Sequence, residues 1–320
     1  MRLLKLVPDN TNIKFLRWRW VALAFTMALV VASIVLLAVR GLNFGVDFAG
    51  GLMMEVRFEK PVALDELRTT VNRLDVGEVS LQTFGNANTI SIRLPLPPGD
   101  EEAVQRVVAK VQAALKVNHP DAETRRVETV SGKVSGELLR DGAWAMALAM
   151  LAVAIYIWFR FEWQFGVGAL FSLFHDVTIT LGFFALTQLE FNLNIVAAVL
   201  TIIGYSLNDT IVVYDRIREN LRKYRKMEIE PLLDLSVNET LSRTIVTSLS
   251  MLIALGTLVV LGGDVIFGFS IAMFLGILIG TYSSIYVAAP LLIWLGVGPH
   301  SFLPKENELT AKAERVAPKA

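Results

Sequence analysis

Apolar residues are gathered in six long runs along the chain. The first run, residues 20–39, has no charged residue and is long enough to cross a hydrocarbon core of about 30 Å as a helix. The other five runs cover residues 142–159, 164–187, 195–214, 244–262 and 266–295. This pattern predicts a polytopic α-helical membrane protein with six transmembrane helices.

The polar segment between the first two runs, residues 40–140, has the pattern of a folded domain. Apolar residues alternate as in strands at residues 52–58, 79–84, 89–96 and 124–130, and recur with helical spacing at residues 62–74 and 101–115. We expect the second and third strands to pair across Gly85 and Asn86. The order βαββαβ predicts a ferredoxin-like α+β domain, in which two helices cover one face of a sheet. The other face is then open, either to a partner or to solvent.

Basic residues indicate which side of the membrane each segment occupies. They precede the first run, and six more follow the fourth: Arg216, Arg218, Arg222, Lys223, Arg225 and Lys226. Because cytoplasmic segments carry an excess of Lys and Arg, we place residues 1–19, the loop 215–243 and the polar tail 296–320 in the cytoplasm. No small-residue cleavage site follows the first run, so we interpret it as an uncleaved span. Both termini are then cytoplasmic, and residues 40–140 are extracytoplasmic.

Composition narrows the possible chemistry. Hydrophobic residues make up 54% of the chain and charged residues 19%, with 30 basic residues balancing 30 acidic ones, so that nothing indicates a nucleic-acid partner. The chain has no cysteine and three histidines, which excludes disulfides and thiolate metal sites. Neither an HExxH zinc motif nor a glycine-rich phosphate loop occurs. We therefore expect a membrane protein that is not an enzyme and has no metal or cofactor.

Two ionisable residues fall close together in the predicted membrane region. A charge at the centre of a membrane helix costs roughly 2.5 to 3.5 kcal/mol, so each such residue suggests a function. Asp209 lies one to two turns from the inner end of the fourth span, and Arg243 opens the fifth span at about the same depth. We expect the two side chains to meet, with Asp209 carrying a proton and Arg243 tuning it. A static ion pair between the two helices is the alternative.

Other polar residues of the spans are candidates for a supporting role. They are Ser206, Asn208 and Thr210 in the fourth span, Thr247 in the fifth, and His175 and Asp176 in the third. Because His175 and Asp176 are adjacent, their side chains leave the helix about 100° apart, and we predict that they do not act as a pair. One of them is expected to hydrogen-bond the fourth span, and a relay role is possible. The glycine motif at residues 276–280 indicates close helix packing.

Three sequence blocks resemble a known family. Residues 45–51 (GVDFAGG) follow the first span, residues 204–220 (GYSLNDTIVVYDRIREN) cross the end of the fourth, and residues 238–248 (NETLSRTIVTS) enter the fifth. In this order, and with one extracytoplasmic domain, the blocks resemble the SecD/SecF family of protein-export membrane proteins, within the resistance-nodulation-division superfamily. Tyr214 stands where members of the family often carry phenylalanine.

The resemblance implies a location in the bacterial inner membrane and a role in protein export. It implies SecD as a heterodimer partner, the SecYEG channel, the SecA motor and YajC as further partners, and unfolded preprotein as substrate. In this family the residues at the positions of Asp209 and Arg243 are held to form a proton path, together with an aspartate of SecD, so that the proton motive force promotes late translocation after the ATP-driven step of SecA.

The residues by themselves leave some alternatives open. Na⁺ is an alternative to the proton as coupling ion, because an aspartate with hydroxyl neighbours such as Ser206 and Thr210 can serve either. Half of a proton-driven small-molecule efflux transporter has the same outline of six spans with an external ferredoxin-like domain. A scaffold of the translocon that conducts no ion is the third possibility, and it does not need Asp209.

Overall fold

The computed structural model describes Pro8, residues 11–84 and residues 86–298. Gly85 of the predicted hairpin turn, most of the 1–10 segment and residues 299–320 of the predicted tail lie outside the described residues. Within the described part, the chain forms a bundle of long helices and a small α/β domain that follows the first of them.

Six helical segments of the described chain are long and apolar enough to cross a membrane. They are α1 (Arg19–Val39, after a 3₁₀ turn at Phe15–Trp18), α5 (Gly132–Arg160), α6 (Trp163–Thr187), α7 (Leu193–Lys223), α8 (Ile229–Leu261), and a last span made of α9 (Asp264–Ser283), a π-helical segment (Ser284–Ala288) and α10 (Ala289–Trp294). The predicted architecture of six membrane helices is confirmed.

The helices flanking the predicted loop 215–243 extend through most of it. α7 ends and α8 begins inside this range, so that only residues 224–228 connect them. Asn220 and Ser236 are fully buried and share a hydrogen bond of 3.0 Å, and Asn220 also donates to Glu239 at 2.7 Å. These polar contacts join the two helices beyond their apolar parts. The apolar runs therefore underestimated both helices, because a hydrophobic pattern does not detect packing through polar side chains.

The last span is interrupted rather than continuous. The π-helical segment Ser284–Ala288 lies between α9 and α10, and Pro290 stands two residues after it. Proline has no backbone N–H, so the regular bond to the carbonyl four residues earlier cannot form there. Local π-helical turns in long helices are frequent at functional sites. The hydroxyl of Tyr214, fully buried in α7, donates to the carbonyl of Ala288 at 3.0 Å.

The α/β domain has the predicted ferredoxin-like topology. Its elements are α2 (Val46–Ala49), β1 (Gly51–Arg57), α3 (Leu64–Asn72), β2 (Ser80–Phe84), β3 (Asn86–Leu94), α4 (Glu101–Asn118) and β4 (Glu123–Val130). The four strands form one antiparallel sheet in the order β2-β3-β1-β4. α5 begins at Gly132, where the Ser131 hydroxyl accepts from the Val134 N–H at 3.3 Å as an N-cap. The helix therefore starts before the predicted domain end at residue 140.

The domain has a hydrophobic core of its own. Leu52, Met54 and Ile92 from the sheet pack with residues such as Leu67 and Leu115 from the two helices α3 and α4. This core shares no residue with the larger core of the helix bundle. We therefore predict that residues 40–131 fold as an independent soluble unit.

Truncating one of these core side chains tests this prediction. Leu115 is 1% exposed, so Leu115→Ala is expected to lower the free energy of unfolding of the isolated domain by about 2 to 5 kcal/mol, through lost burial and a cavity. Val117, two residues further along the same helix, is 79% exposed, and Val117→Ala is expected to change it by less than about 0.5 kcal/mol. Denaturant unfolding followed by circular dichroism measures both. A non-cooperative transition in the unmodified segment would contradict the prediction.

The second face of the sheet is not left open as expected, because part of it docks on the helix bundle. Arg93 of β3 pairs with Glu190, in the connection between α6 and α7, at 3.0 Å, and both side chains are largely buried. Arg93 also donates to the carbonyl of Phe44 at 2.7 Å, and the Asn43 amide donates to Gln82 of β2 at 2.8 Å. The sequence pattern could not show this docking, because the contacts join polar residues far apart in the chain.

Acidic side chains gather at the same docking surface. Burial raises the pKa of Glu128 on β4 above its usual range, against the opposing effect of Arg126, while the nearby carboxylates of Asp47 and Glu190 add to the increase. Asp47 also accepts a hydrogen bond of 2.9 Å from the N–H of Leu193, the first residue of α7. A carboxylate there satisfies a free N–H group at the helix start.

A pair of glycines connects this surface to the sheet. Gly50 and Gly51 have φ values of +72° and +112°, in the left-handed region that side chains rarely adopt. A Cβ atom on Gly51 would also lie 2.7 Å from the carbonyl oxygen of Leu94. The Gly-Gly pair of the first sequence block therefore permits the sharp turn from α2 into β1.

Candidate functional site

Asp209 lies in the middle of α7 and is buried between three helices. It is 7% exposed. Its Oδ1 accepts a hydrogen bond of 2.7 Å from the Thr244 hydroxyl of α8, and its Oδ2 accepts one of 2.6 Å from the Ser284 hydroxyl at the start of the π-helical segment. The carboxylate is thus held by hydroxyl groups from the two helices that pack against α7.

Arg243 does not form the predicted contact with Asp209. Its side chain is on the exposed side of α8, and among the described residues no ion pair joins it to Asp209. The next residue, Thr244, is buried and makes the contact instead. The Cα–Cβ bonds of adjacent helix residues point about 100° apart, and here the one of Thr244 is directed toward α7 while the side chain of Arg243 is exposed. Arg243 therefore lies on the predicted turn of α8, but the direct contact with Asp209 is made by Thr244.

His175 and Asp176 are bonded to each other, which corrects the prediction that they cannot pair. His175 Nδ1 lies 2.8 Å from Asp176 Oδ1, and both side chains are fully buried in α6. A 100° separation describes the directions of the Cα–Cβ bonds, whereas the imidazole is long enough to turn its Nδ1 back toward its neighbour. The expected bond to the fourth span is also present, because the Ser206 hydroxyl of α7 donates to Asp176 Oδ2.

Two consecutive serines connect the two buried carboxylates. Ser283 donates to Asp176 Oδ2 at 2.9 Å, and Ser284 donates to Asp209 Oδ2 at 2.6 Å. Both serines are fully buried, at the junction of α9 and the π-helical segment. Sequence analysis did not identify either of them or Thr244 as a ligand of an aspartate. The available signal was a short run of hydroxyl residues, Thr281–Ser284, six positions before a proline in a largely apolar span.

The remaining candidates occupy different environments. Thr210 is buried, whereas Asn208 is exposed. Thr247 is also exposed, and its hydroxyl donates back to the carbonyl of Arg243 at 2.9 Å. Of the supporting residues predicted from the sequence, Ser206, His175 and Asp176 make side-chain hydrogen bonds within the buried cluster.

The glycine motif in α9 brings the serine pair close to α7. A Cβ atom on Gly276 would lie 2.4 Å from the side chain of Ile202, and one on Gly280 would lie 3.1 Å from Ser206. The predicted packing role of these glycines agrees with these distances. Because α7 and α9 are in close contact, short serine hydroxyls are long enough to bond to carboxylates on neighbouring helices.

The cluster combines buried carboxylates with hydroxyl groups. Within the described parts of the chain, no group of three or more His, Cys, Asp or Glu side chains could hold a metal ion. Carboxylates surrounded by hydroxyls can instead accept hydrogen bonds when ionised and donate one when protonated. The site therefore combines two acid groups with neighbours that suit either protonation state.

Six membrane helices, a ferredoxin-like domain after the first of them and a buried aspartate in the fourth span define a class of membrane proteins that includes protein-export subunits and halves of efflux transporters. The sequence matches the family described as "Protein export membrane protein SecD/SecF, C-terminal" over residues 110–298 and the "SecD/SecF GG Motif" over residues 35–62. The chain belongs to the SecD/SecF family, as a SecF-type subunit of the protein-export complex.

Individual relatives agree with this assignment. The chain is 45% identical over 290 residues to the protein translocase subunit SecF of Rickettsia rickettsii (strain Sheila Smith), which covers 90% of this chain and 94% of that protein. It is 44% identical over 290 residues to the SecF of Rickettsia prowazekii (strain Madrid E), over 90% of this chain and 93% of that protein.

Solved structures show the same fold. The crystal structure of SecDF from Thermus thermophilus, described as a translocon-associated membrane protein, is similar with a TM-score of 0.82 and 34% identity over 90% of this chain. SecDF in its super-membrane-facing form is similar with a TM-score of 0.67 and 31% identity over 99% of this chain. The matched parts are 39% and 42% of those longer chains, so that this chain corresponds to less than half of SecDF.

Proposed function

We propose that this chain uses the proton motive force to promote late steps of preprotein translocation through SecYEG, after the ATP-driven step of SecA. The observation that carries the proposal is Asp209, a buried carboxylate inside a membrane helix that bonds to two hydroxyls and, among the described residues, to no cation. An ionised carboxylate inside a membrane helix has a high free-energy cost. Reversible protonation is a function that would explain why an aspartate is present there.

The proposal includes a second subunit and a membrane orientation. SecD is the expected partner, because the solved relatives are SecDF chains of which this chain matches less than half. SecYEG, SecA, YajC and the unfolded preprotein are the other expected contacts. The location is the bacterial inner membrane, with both termini in the cytoplasm and the α/β domain outside, since the basic residues of the 215–243 region favour this orientation.

Arg243 contributes from the surface of the bundle in this proposal. The guanidinium of Arg243 keeps its positive charge. Arg243 immediately precedes Thr244 in α8, and the Thr244 hydroxyl bonds to Asp209. Movement of α8 would change the distance between the two charges, and with it the balance between the ionised and protonated forms of Asp209. No cofactor is required. The driving energy is adequate, since one charge crossing about 150 mV releases roughly 3.5 kcal/mol.

The test separates a coupled pump from a scaffold. Inverted membrane vesicles that contain this chain with SecD and SecYEG receive a preprotein and SecA, and ATP is then depleted so that translocation stops part-way. We expect completion, measured by protease protection, to require a proton gradient, to stop with a protonophore and to continue without Na⁺. Equal completion with and without the gradient would support the scaffold, and dependence on Na⁺ alone would replace the proton as coupling ion.

A further inference from the structure

We infer that Asp176 is a second proton-binding carboxylate, coupled to Asp209 through the Ser283–Ser284 pair, so that the coupling site contains two acids rather than one in this subunit. The inference rests on the proposed function for the role of the proton, but the protonation of Asp176 can be measured independently. The arrangement of hydrogen-bond donors and acceptors around the two carboxylates carries the argument.

Asp176 is more completely enclosed than Asp209. It has no exposed surface; its Oδ1 shares a hydrogen bond of 2.8 Å with His175 Nδ1, and its Oδ2 accepts from Ser206 and Ser283. Its position near the middle of α6 is where an ionised group is most costly in a membrane helix. Among the described residues, the other titratable groups at this cluster are His175, Asp209 and Tyr282, whose ring lies against the imidazole.

Each serine of the pair has two possible acceptors for its single hydrogen. Ser283 can donate to Asp176 Oδ2 at 2.9 Å or to the carbonyl of Gly280 at 3.1 Å. Ser284 can donate to Asp209 Oδ2 at 2.6 Å or to the carbonyl of Thr281 at 3.0 Å. Each of the two adjacent serines can therefore donate its hydrogen either to a carboxylate or to the backbone carbonyl three residues earlier.

This alternative allows both protonation states to be fully hydrogen-bonded. An ionised carboxylate only accepts, so the serine hydrogen points to it. When a proton binds to the carboxylate oxygen, the new O–H bond can donate to the serine oxygen, and the serine hydrogen turns to the backbone carbonyl. Neither the carboxyl oxygen nor the serine hydroxyl is then left unpaired in either state, which avoids a cost of about 1 to 3 kcal/mol.

The two acids are linked because they share helices and neighbours. Ser206, which bonds to Asp176, and Asp209 are three residues apart on α7 and so lie on the same side of that helix. Ser283 and Ser284 are adjacent where α9 changes into the π-helical segment. A shift of this segment therefore alters hydrogen bonds to both carboxylates together.

The experiment uses the full chain in complex with SecD in membranes and has two readouts. The first is the infrared difference spectrum between low and high pH, which detects protonated carboxyl groups directly. We expect Asp176→Asn and Asp209→Asn each to remove a separate component of the carboxyl signal. We also expect Asp176→Asn to lower gradient-driven translocation by about 100-fold, as for loss of a proton-transfer group, and Asp176→Glu to restore part of it.

Two further variants separate proton binding from folding. Ser283→Ala leaves the Asp176 carboxylate in place but removes the hydroxyl that donates to it. We expect this variant to shift the pH at which the Asp176 component of the spectrum changes. Thr180→Val is the matched control, because within the described part of the chain the buried Thr180 hydroxyl bonds to the backbone carbonyl of Asp176 and not to its carboxylate, and we expect its spectrum to match that of the unmodified chain.

The outcomes distinguish this inference from the proposed function. An infrared signal that is unchanged by Asp176→Asn, or an Asp176 component that does not titrate, would overturn the inference and leave the role of Asp209 intact. Full gradient-driven translocation in Asp209→Asn would contradict the proposed function, and the infrared titration of Asp176 would still decide whether this residue binds a proton.

Discussion

Replacing Asp209 with asparagine is expected to remove gradient-driven translocation, lowering its rate by about 100-fold or more while the ATP-driven step continues. Asparagine keeps the shape of aspartate, and its amide oxygen can accept from Thr244 or Ser284, the two donors seen in the structure. It cannot bind and release a proton. The loss should therefore occur with normal amounts of the protein in the membrane, and the vesicle assay with depleted ATP measures it.

A matched substitution on the same helix provides the control. Asp215 lies six residues after Asp209 on α7 and forms an exposed pair with Arg160 at 2.9 Å. Exposed ion pairs contribute about 0 to 1 kcal/mol, so Asp215→Asn is expected to leave translocation unchanged. Asp209→Glu should retain part of the activity, because it keeps the acid. Equal activity in Asp209→Asn and Asp215→Asn would remove the proton-carrying role and favour the scaffold.

The six membrane helices and the order of elements in the α/β domain could be predicted from the sequence, because both depend on patterns that are local in the chain. Long apolar runs indicate membrane helices whatever surrounds them, and the βαββαβ order follows from the alternation of spacing within residues 52–130. The position of Asp209 was predicted by the same reasoning, since an acid inside an apolar run is unusual by itself. Each of these observations requires only residues that are close together along the chain.

The contacts of the site depend on rotation about the helix axes, which the sequence does not determine. Depth placed Arg243 beside Asp209, but the rotation of α8 directs Thr244 inward. The bond between His175 and Asp176 depends on side-chain rotamers, which a helical wheel ignores. Ser283 and Ser284 were missed because serine is common at helix contacts, so that its bonding to a carboxylate is visible only in three dimensions.

The docking of the α/β domain was missed for a related reason. Arg93 and Glu190 are separated along the chain by α4, β4 and two membrane helices, and neither is unusual in its own segment. Only the folded structure shows that the sheet face contacts the connection between α6 and α7. The open face of an isolated ferredoxin-like domain was therefore a poor guide to its surroundings in this protein.

A second large effect is expected at the exposed side of α8, where a photoreactive group on Thr247 should crosslink to SecD. Arg243 and Thr247 are one turn apart on this side, and both are exposed in the single chain. A guanidinium beside the apolar part of a membrane helix is unfavourable against lipid tails, so this side is expected to face protein or water. The partner half of the complex is the protein that can supply such a surface.

The absence of cysteine from the chain makes this test specific. Thr247→Cys is labelled with a benzophenone maleimide, the complex is irradiated in the membrane, and mass spectrometry identifies the adduct, which we expect to be SecD. Leu255→Cys is the control on the same helix, because Leu255 is 5% exposed and packs inside the bundle, so it should give no adduct with another subunit. Ser206, a supporting candidate on the fourth span, is unsuitable as a crosslinking site because it is buried against Asp176. Adducts of Thr247→Cys with lipid alone, or with a second copy of this chain and never with SecD, would contradict the heterodimeric proton path.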